Sequence, residues 1–475
     1  MATQKITIEP VTRIEGHARI TLHLNDGGEV EKSYLHVDEF RGLEKFSEGR
    51  PYFEMPQITQ RICGICPVSH HLASAKTCDV ITGVKPPRPA VLLRELLHMA
   101  QFVQSHSMHF FYLAGPDLVL GFDADPAIRN VFGIIQANPQ LAFKAVGQRR
   151  FGQQIIERLG GKRVHPNFAV PGGVNTPLSA RDRDEIAAEI EAQLGVAMEG
   201  VGLLADWVEK NRDTAMRFAS FSSSYMGLVD EKGGLSLYDG QIRICDPEGK
   251  RIDQFKAEDY LLHVAEHVEP WSFLKFPYYR KQGWPQGAYR VGPLGRLNVV
   301  DRIGTSLANE EFKRFRQLNN GRPVEGSLFY HYARLIELIY ALERIEQLLS
   351  EPDILSTDIR AYGPPGLRPR GVGVIEAPRG TLVHDYHVDA NGLLVRTNLI
   401  VATGHNNWAM NQAVDRVAKA FVHGPVVPEG MLNRVEAAVR CYDPCLSCST
   451  HAVGQMPLEL TMVGPDGRVL TRVVR

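Results

Sequence analysis

The chain has little that would tie it to a membrane, to nucleic acid or to a disulfide scaffold. No uninterrupted apolar stretch approaches the ~18 residues of a spanning helix, so no transmembrane segment is expected. Its 53 basic residues are matched by 54 acidic ones, which removes the basic surplus that nucleic-acid binding asks for. Seven cysteines in 475 residues are too few for a disulfide framework. The opening Met1-Ala-Thr-Gln-Lys5 runs straight into strand-like residues, so no signal peptide is expected. No Gly-x-Gly-x-x-Gly follows a strand-like run, which leaves the chain without a dinucleotide fingerprint. Internal repeats, low-complexity tracts and clean linkers are missing too. What is left is the composition of an ordinary globular protein, 44% hydrophobic and 23% charged, long enough to bury a large core.

The periodicity of that composition predicts mixed structure. Ile6 and Ile8, then Ile20, Leu22 and Leu24, alternate as strands do, and Asn25-Asp-Gly-Gly28 is a hairpin turn signal. Residues 1–60 are therefore expected to form an N-terminal sheet region. Pro86-Pro-Arg-Pro89 opens a helix on which Leu93, Leu96, Leu97, Ala100 and Val103 keep the helical period. Ser179 is placed to cap a long helix carrying Ile186, Ile190, Leu194, Val201, Leu204 and Val208. A third helix is predicted from about Tyr330 to Leu349, with Leu335, Leu338, Ile339, Leu342 and Ile345 on one face. Residues 229–300, richer in glycine, proline and aromatics, read as an irregular or β-containing insertion. The expected class is α+β, predominantly helical, with a central bundle of long helices, a small N-terminal sheet and one domain over residues 1–475.

Two Cys-x-x-Cys pairs stand near opposite ends of this chain. Cys63 and Cys66 lie in Arg61-Ile-Cys-Gly-Ile-Cys-Pro67, and Cys445 and Cys448 in Asp443-Pro-Cys-Leu-Ser-Cys-Ser-Thr-His451. If the two turns meet, they make a four-thiolate pocket for a soft transition metal. Three readings compete. A structural zinc site uses such pairs, though usually within a few tens of residues. A dithiol redox motif needs a thioredoxin-like βαβ context, which neither pair has. A catalytic metal centre held between the two chain ends is the third, and spacing alone leaves it open against zinc. Cys78, Cys245 and Cys441 fit no motif and are expected as small buried hydrophobes.

The surrounding residues add a resemblance. Arg13-Ile-Glu-Gly-His17, Phe40-Arg-Gly-Leu-Glu44, the two cysteine motifs and Glu376-Ala-Pro-Arg-Gly380 occur in one order. Together they resemble the large, catalytic subunit of nickel–iron hydrogenases over residues 5–475. Glu48-Gly-Arg-Pro51, Trp271-Ser-Phe-Leu-Lys-Phe-Pro-Tyr-Tyr279, Arg290-Val-Gly-Pro-Leu294 and Glu429-Gly-Met-Leu-Asn-Arg-Val-Glu436 look closest to the NAD-reducing soluble group.

The resemblance implies a division of labour. Cys63 and Cys445 would bind nickel terminally, and Cys66 and Cys448 would bridge nickel to an iron carrying carbon monoxide and two cyanides. Arg379 would face those ligands and bound H2, with Ala377 and Pro378 lining the same pocket. Val401, Ala402 and Thr403 match a family segment that usually has proline at the middle position, and Thr403 would donate a hydrogen bond to a diatomic ligand. Glu15 would exchange protons with a terminal cysteine, a task for which a carboxyl group is suited. His70 would hydrogen-bond a bridging sulfur, its neighbour His71 being either a partner or plain packing. Asp117 would orient the arginine. Glu44, His451 and a backbone carbonyl near Leu399 would hold a magnesium-type ion. Residues 452–475, which include Gly454-Gln-Met-Pro457 and a turn at Gly464-Pro-Asp-Gly467, match a C-terminal extension that a maturation endopeptidase removes after the histidine.

An electron-transferring enzyme also needs a path for electrons. The three remaining cysteines are too few for an iron–sulfur cluster, which takes about four. The implied partners are an iron–sulfur small hydrogenase subunit, together with flavin-containing, iron–sulfur diaphorase subunits that bind NAD, and the implied location is the cytoplasm. A related large subunit serving another acceptor, such as a deazaflavin or a methanogen-type disulfide reductase, is the alternative. A quinone-oxidoreductase-like subunit of the same fold would lack the four cysteines.

Overall fold

The helix Arg88–Ser107 is the core element: from Leu92 to Ser107 every residue except Glu95 is buried. A helix buried all round belongs at the centre of a bundle. In this computed structural model, which describes residues 5–363, 366–423, 427–452, 459–465 and 467–474, it packs against Pro139–Gly160 and Phe329–Leu349. Phe329–Leu349 packs in turn on Ile190–Lys210 and Ser306–Gln317. Pro87 precedes the first turn of the core helix and Pro89 stands within it, where a missing N–H costs nothing. Gly152 lets Pro139–Gly160 approach closely, because a Cβ there would lie 2.7 Å from the Ala100 carbonyl oxygen and 2.8 Å from the Gln104 nitrogen.

The N-terminal segment forms a three-stranded antiparallel sheet of Lys5–Ile8, Arg19–Leu24 and Val30–His36. Asn25 builds its hairpin turn, its side-chain oxygen accepting from the Gly27 and Glu29 amides, each at 3.0 Å. The last strand lies on the helix Asn407–Phe421, which ties the start of the chain to its end. A second antiparallel sheet, Arg370–Ala377, Gly380–Val388 and Leu394–Ile400, rests on the helix Pro67–Thr82. Most buried hydrophobic residues, from Ile8 to Cys448, join in one cluster, and a second, smaller one gathers Met226, Ile244, Tyr289 and Val383. Among the described residues no helix is long and apolar enough to cross a membrane.

Two expectations need correction and a third is filled in. The helix predicted from Ser179 is two: Ala180–Ala187, capped by the Ser179 hydroxyl on the Asp182 amide, and Ile190–Lys210. A tightened turn, with the Glu189 amide bonded to the Ile186 carbonyl, divides them while keeping Ile186 and Ile190 both buried. Sheet structure in the N-terminal region stops at His36, and short helices begin at Leu43 after the left-handed Gly42. Within 229–300 lie four longer strands, but also the wholly buried helix Gly292–Val299, whose period Gly292, Pro293 and Gly295 obscure. In the tail, Glu459–Val463 pairs with Val469–Val474, and the Gly467 amide closes the turn on the Gly464 carbonyl. Asp466 and residues 453–458, with the Gly454-Gln-Met-Pro457 run, lie outside the described residues.

Gly152→Val is expected to lower stability by ~1–3 kcal/mol through overpacking. Gly147→Ala, in the same helix with nothing within 4 Å of its Cβ, is expected to be neutral or to stabilise by up to about 1 kcal/mol. Urea unfolding of both variants checks this, and equal behaviour would remove close approach as the cause.

Candidate metal centre

Each cysteine is presented by a distinct local device. Cys63 follows the turn Gln60–Ile62 in extended conformation, and its sulfur accepts from the Ile65 and Cys66 amides at 3.1 and 3.4 Å. Cys66 stands at the N-terminus of Pro67–Thr82, with Pro67 at the first helical position. At the other end, Asp443 takes a left-handed conformation, φ 52°, and swings the chain from the helix Glu429–Arg440 into Cys445. The Thr403 hydroxyl oxygen accepts from the Cys445 amide at 2.9 Å, and Cys448 lies in the short helix Leu446–Ser449 that follows.

These devices converge. The sulfurs of Cys63 and Cys445 are 3.2 Å apart, those of Cys66 and Cys448 3.4 Å, and those of Cys445 and Cys448 2.8 Å. All four lie within 4.8 Å of one another and all are buried. Hydrogen bonds from Cys445, Cys448 and Cys66, with help from Arg379, hold the Cys63 thiol well below the ordinary range. Burial pushes Cys445 and Cys448 well above it. Four soft donors gathered this closely fit a soft cation, which takes the place of thiol protons when it binds.

Above the sulfurs is a cavity of about 10 Å³, lined by Cys66, His70, Ala377, Arg379, Leu382, Val401, Ala402, Thr403, Cys445 and Cys448. That is about the room of one water-sized molecule. Arg379 enters it from the two-residue turn between Arg370–Ala377 and Gly380–Val388. Its guanidinium is 2% exposed, donates to Asp443 at 2.9 Å and reaches the Ser105 hydroxyl at 3.4 Å. Burial alone would lower its pKa, but Asp443 and the sulfurs of Cys445, Cys66 and Cys63 outweigh that and raise it. Arg379 is therefore a fixed positive charge over the sulfurs.

The remaining sequence candidates divide. Glu15, half-buried, is bridged to Cys445 in parallel: its carbonyl accepts from Leu446 and its carboxylate from the Ser447 amide, both at 3.1 Å. Gly16, at φ 82°, allows this approach, since a Cβ would lie 2.8 Å from that of Leu446. His70 lines the cavity but directs Nδ1 to His384 Nε2 at 3.2 Å, and burial lowers its pKa to about 4. His71 serves packing: Nδ1 donates to the Pro56 carbonyl and Nε2 accepts from the Ala169 amide.

A second group gathers below the C-terminal cysteines. Glu44 Oε1 accepts from the Leu399 amide at 2.7 Å and from His451 Nδ1 at 3.0 Å. Leu399 faces His384 on the neighbouring strand, but its N–H is turned outward to Glu44. In such a pair the carbonyl points to the same side, which gives Glu44, His451 and the Leu399 carbonyl one common face.

Two assignments are corrected. Asp117 does not orient Arg379; it is bound by Arg13 at 2.5 Å and Arg440 at 2.7 Å. The carboxylate on Arg379 is Asp443, which stands in the Asp-Pro-Cys motif but carries no separate sequence signal for its partner. Pro378 is not among the residues that line the cavity, and its carbonyl is turned to Arg296 at 3.1 Å. Leu382 completes the wall unforeseen, one apolar strand residue among many.

Known proteins share this architecture. A family profile described as nickel-dependent hydrogenase matches residues 41–130 and 210–451, and one described as HoxL-like matches residues 5–40. The chain is 43% identical to the NAD-reducing hydrogenase HoxS subunit beta of Cupriavidus necator over the full length of both. It is 45% identical to a chain of the vhu F420-non-reducing hydrogenase of Methanococcus voltae, over 88% of this chain and 99% of that one. It superposes on a chain of the H2-reduced NAD+-reducing [NiFe]-hydrogenase crystal structure with TM-score 0.92 and 46% identity, covering 95% of this chain and all of the other.

Buried histidines set an acid limit on this framework. His71, His98 and His106 have pKa values lowered to about 4, chiefly by burial. The unfolded chain therefore takes up these protons first. The stability each confers is full above about pH 6.5 and is lost as pH falls towards 4, by up to ~1.4 kcal/mol per pH unit per histidine. Urea midpoints should fall clearly between pH 7 and pH 5, and equal midpoints would contradict the neutral assignment.

Proposed function

The chain belongs to the nickel-dependent hydrogenases as their large, metal-holding subunit, and from that premise we propose that it is the hydrogen-activating subunit of an NAD+-reducing enzyme. The observation that carries the reading is the meeting of four buried sulfurs, all within 4.8 Å, under a positive charge and a cavity for one small molecule. The reaction is the reversible conversion of H2 to two protons and two electrons.

Cys63 and Cys445 would hold nickel alone, and Cys66 and Cys448 would hold nickel and iron together. When bound, the metal pair supplies a Lewis-acidic, redox-active centre at which H2 is polarised and its electrons are accepted. The chain supplies the rest. Arg379 holds a positive charge over the cavity, and its bond to Asp443 keeps that charge in place. Thr403 has its oxygen engaged by the Cys445 amide, and its hydroxyl proton would be left to donate to a carbon monoxide or cyanide ligand on iron. Ala377, Val401, Ala402 and Leu382 keep the cavity apolar and exclude bulk water. The Cys445 sulfur is the proton acceptor, and Glu15, hydrogen-bonded to the Cys445 loop and half-buried, carries the proton outward.

Support for NAD+ as acceptor is the full-length likeness to a relative of that name. An iron–sulfur small subunit, with flavin-containing diaphorase subunits beyond it, would carry the electrons, in the cytoplasm. The methanogen relatives named F420-non-reducing hydrogenase keep a different acceptor as the second reading. Glu44, His451 and the Leu399 carbonyl would hold a magnesium-type ion through oxygen and nitrogen donors, the histidine being unusual for it. Residues 452–475 would be removed by an endopeptidase once nickel is loaded.

Elemental analysis joined to infrared spectroscopy tests the centre. Nickel and iron near one each per chain, with separated carbon monoxide and cyanide bands, are expected, whereas zinc alone without those bands would sink the reading. Cys445→Ser should lose nickel, and a normal nickel-to-iron ratio would contradict its role as ligand. Glu15→Gln should keep both metals but slow H/D exchange by about 10²-fold or more, the scale of a lost proton relay. Unchanged exchange would take Glu15 out of the path.

A further inference from the structure

Arg379 sits at a turn that its own sequence does not favour. The strands Arg370–Ala377 and Gly380–Val388 pair to the end, Ala377 opposite Gly380, so only Pro378 and Arg379 form the turn. Two-residue hairpins prefer turns with positive φ at the first central residue. Pro378 forbids this, because its ring locks φ near about −65°. A turn of this kind needs support from outside the hairpin.

The support comes from the helix Gly292–Val299. Arg296 is completely buried and uses all five of its N–H groups. Nη1 donates to the Ala377 carbonyl at 2.9 Å and to Glu376 at 2.7 Å. Nη2 donates to the Pro378 carbonyl at 3.1 Å and to Glu337 at 2.7 Å, and Nε takes the other Glu337 oxygen at 2.6 Å. One guanidinium thus grips three consecutive residues, 376 to 378, immediately before Arg379. Its counter-ions are fixed in turn: Glu337 accepts from His106 at 2.9 Å, and Glu376 from the Leu228 amide and the Thr381 hydroxyl at 2.9 and 2.8 Å. At the start of the same helix Gly292 takes φ 80°, and a Cβ there would lie 2.8 Å from the Arg379 carbonyl oxygen. The helix therefore addresses the turn twice, by contact at its first residue and by hydrogen bonds one turn later.

We propose that Arg296 is a positioning residue for the metal centre, holding the 377–380 turn so that the Arg379 guanidinium stands over the cysteine sulfurs. It touches neither the sulfurs nor the cavity and acts through Arg379. The inference rests on the assignment of that centre as the site of hydrogen activation. A lysine in its place keeps the charge but presents a single point donor, which cannot span two carbonyls and two carboxylates.

The test is Arg296→Lys, alone and combined with Arg379→Lys, in the holoenzyme. Arg296→Lys should keep nickel and iron per chain, shift the cyanide infrared bands, and lower kcat about tenfold or more with KM within about twofold, as misplacement of a charged group does. In the Arg379→Lys background the same change should cost less than about twofold, because coupled residues are not additive. Additive losses, or wild-type bands and rate, would overturn the proposal. Amide exchange of residues 376–381 in the metal-free chain reads the clamp without activity: faster exchange confined to that segment supports it, and unchanged exchange refutes it. If Arg296→Lys does not accumulate folded, Glu337→Gln, which sets an amide NH2 against one of the five donors in place of an acceptor, is read by the same exchange. A wild-type enzyme without nickel, iron or H2 turnover would fail the functional reading, while the exchange result still decides the role of Arg296.

Discussion

Everything in this structure answers to the burial of charge at one point. Four sulfurs, a guanidinium and a carboxylate occupy a region almost shut off from water, where an unpaired charge is costly. The protein answers with matched partners: Arg379 with Asp443, Arg296 with Glu337 and Glu376, Arg13 and Arg440 with Asp117. The first two groups lie where the second sheet meets the helices, and the third ties the N-terminal segment to the helices Gly115–Val119 and Glu429–Arg440. They fix how the elements meet more sharply than apolar packing does, since a slipped contact would leave a charge without its partner.

The division of labour follows the chemistry. Segments from the two ends of the chain bring the sulfurs, each held by its own turn or helix end. The groups that must stay put, Arg379 and the apolar wall, come from a hairpin and from the segment after the strand Leu394–Ile400, both on rigid sheet. Glu15 stands between these two worlds, bonded to the cysteine loop yet reaching the half-exposed edge.

The sequence disclosed the parts whose logic is local. Two Cys-x-x-Cys turns, the proline-led core helix and the Asn25 hairpin each carry their reason within a few residues. What it hid is relational. Asp117 and Asp443 are both acidic residues near a turn, and only the fold decides which one meets Arg379. Pro378 reads as a pocket residue from its place in the motif, but its carbonyl is claimed by a helix some eighty positions earlier. Arg296 sits in a short helix whose glycines and proline erase the helical period, so neither the element nor its buried arginine announces itself. The break at Ala188 was invisible for the opposite reason: both halves carry helical residues, and one tightened turn changes no periodicity.

The metal pocket also has a clock built into it. Cys63 and Cys445 are 382 positions apart, and a ribosome adding roughly 5–20 residues per second needs about 20–80 s to cover that distance. Through that interval the first two sulfurs exist without the second two, as a bidentate thiol pair open to any soft ion or oxidant nearby. Order of events then matters as much as affinity: a four-sulfur site exists only after Cys445 and Cys448 have been made, and the earlier thiols must be kept empty and reduced until then.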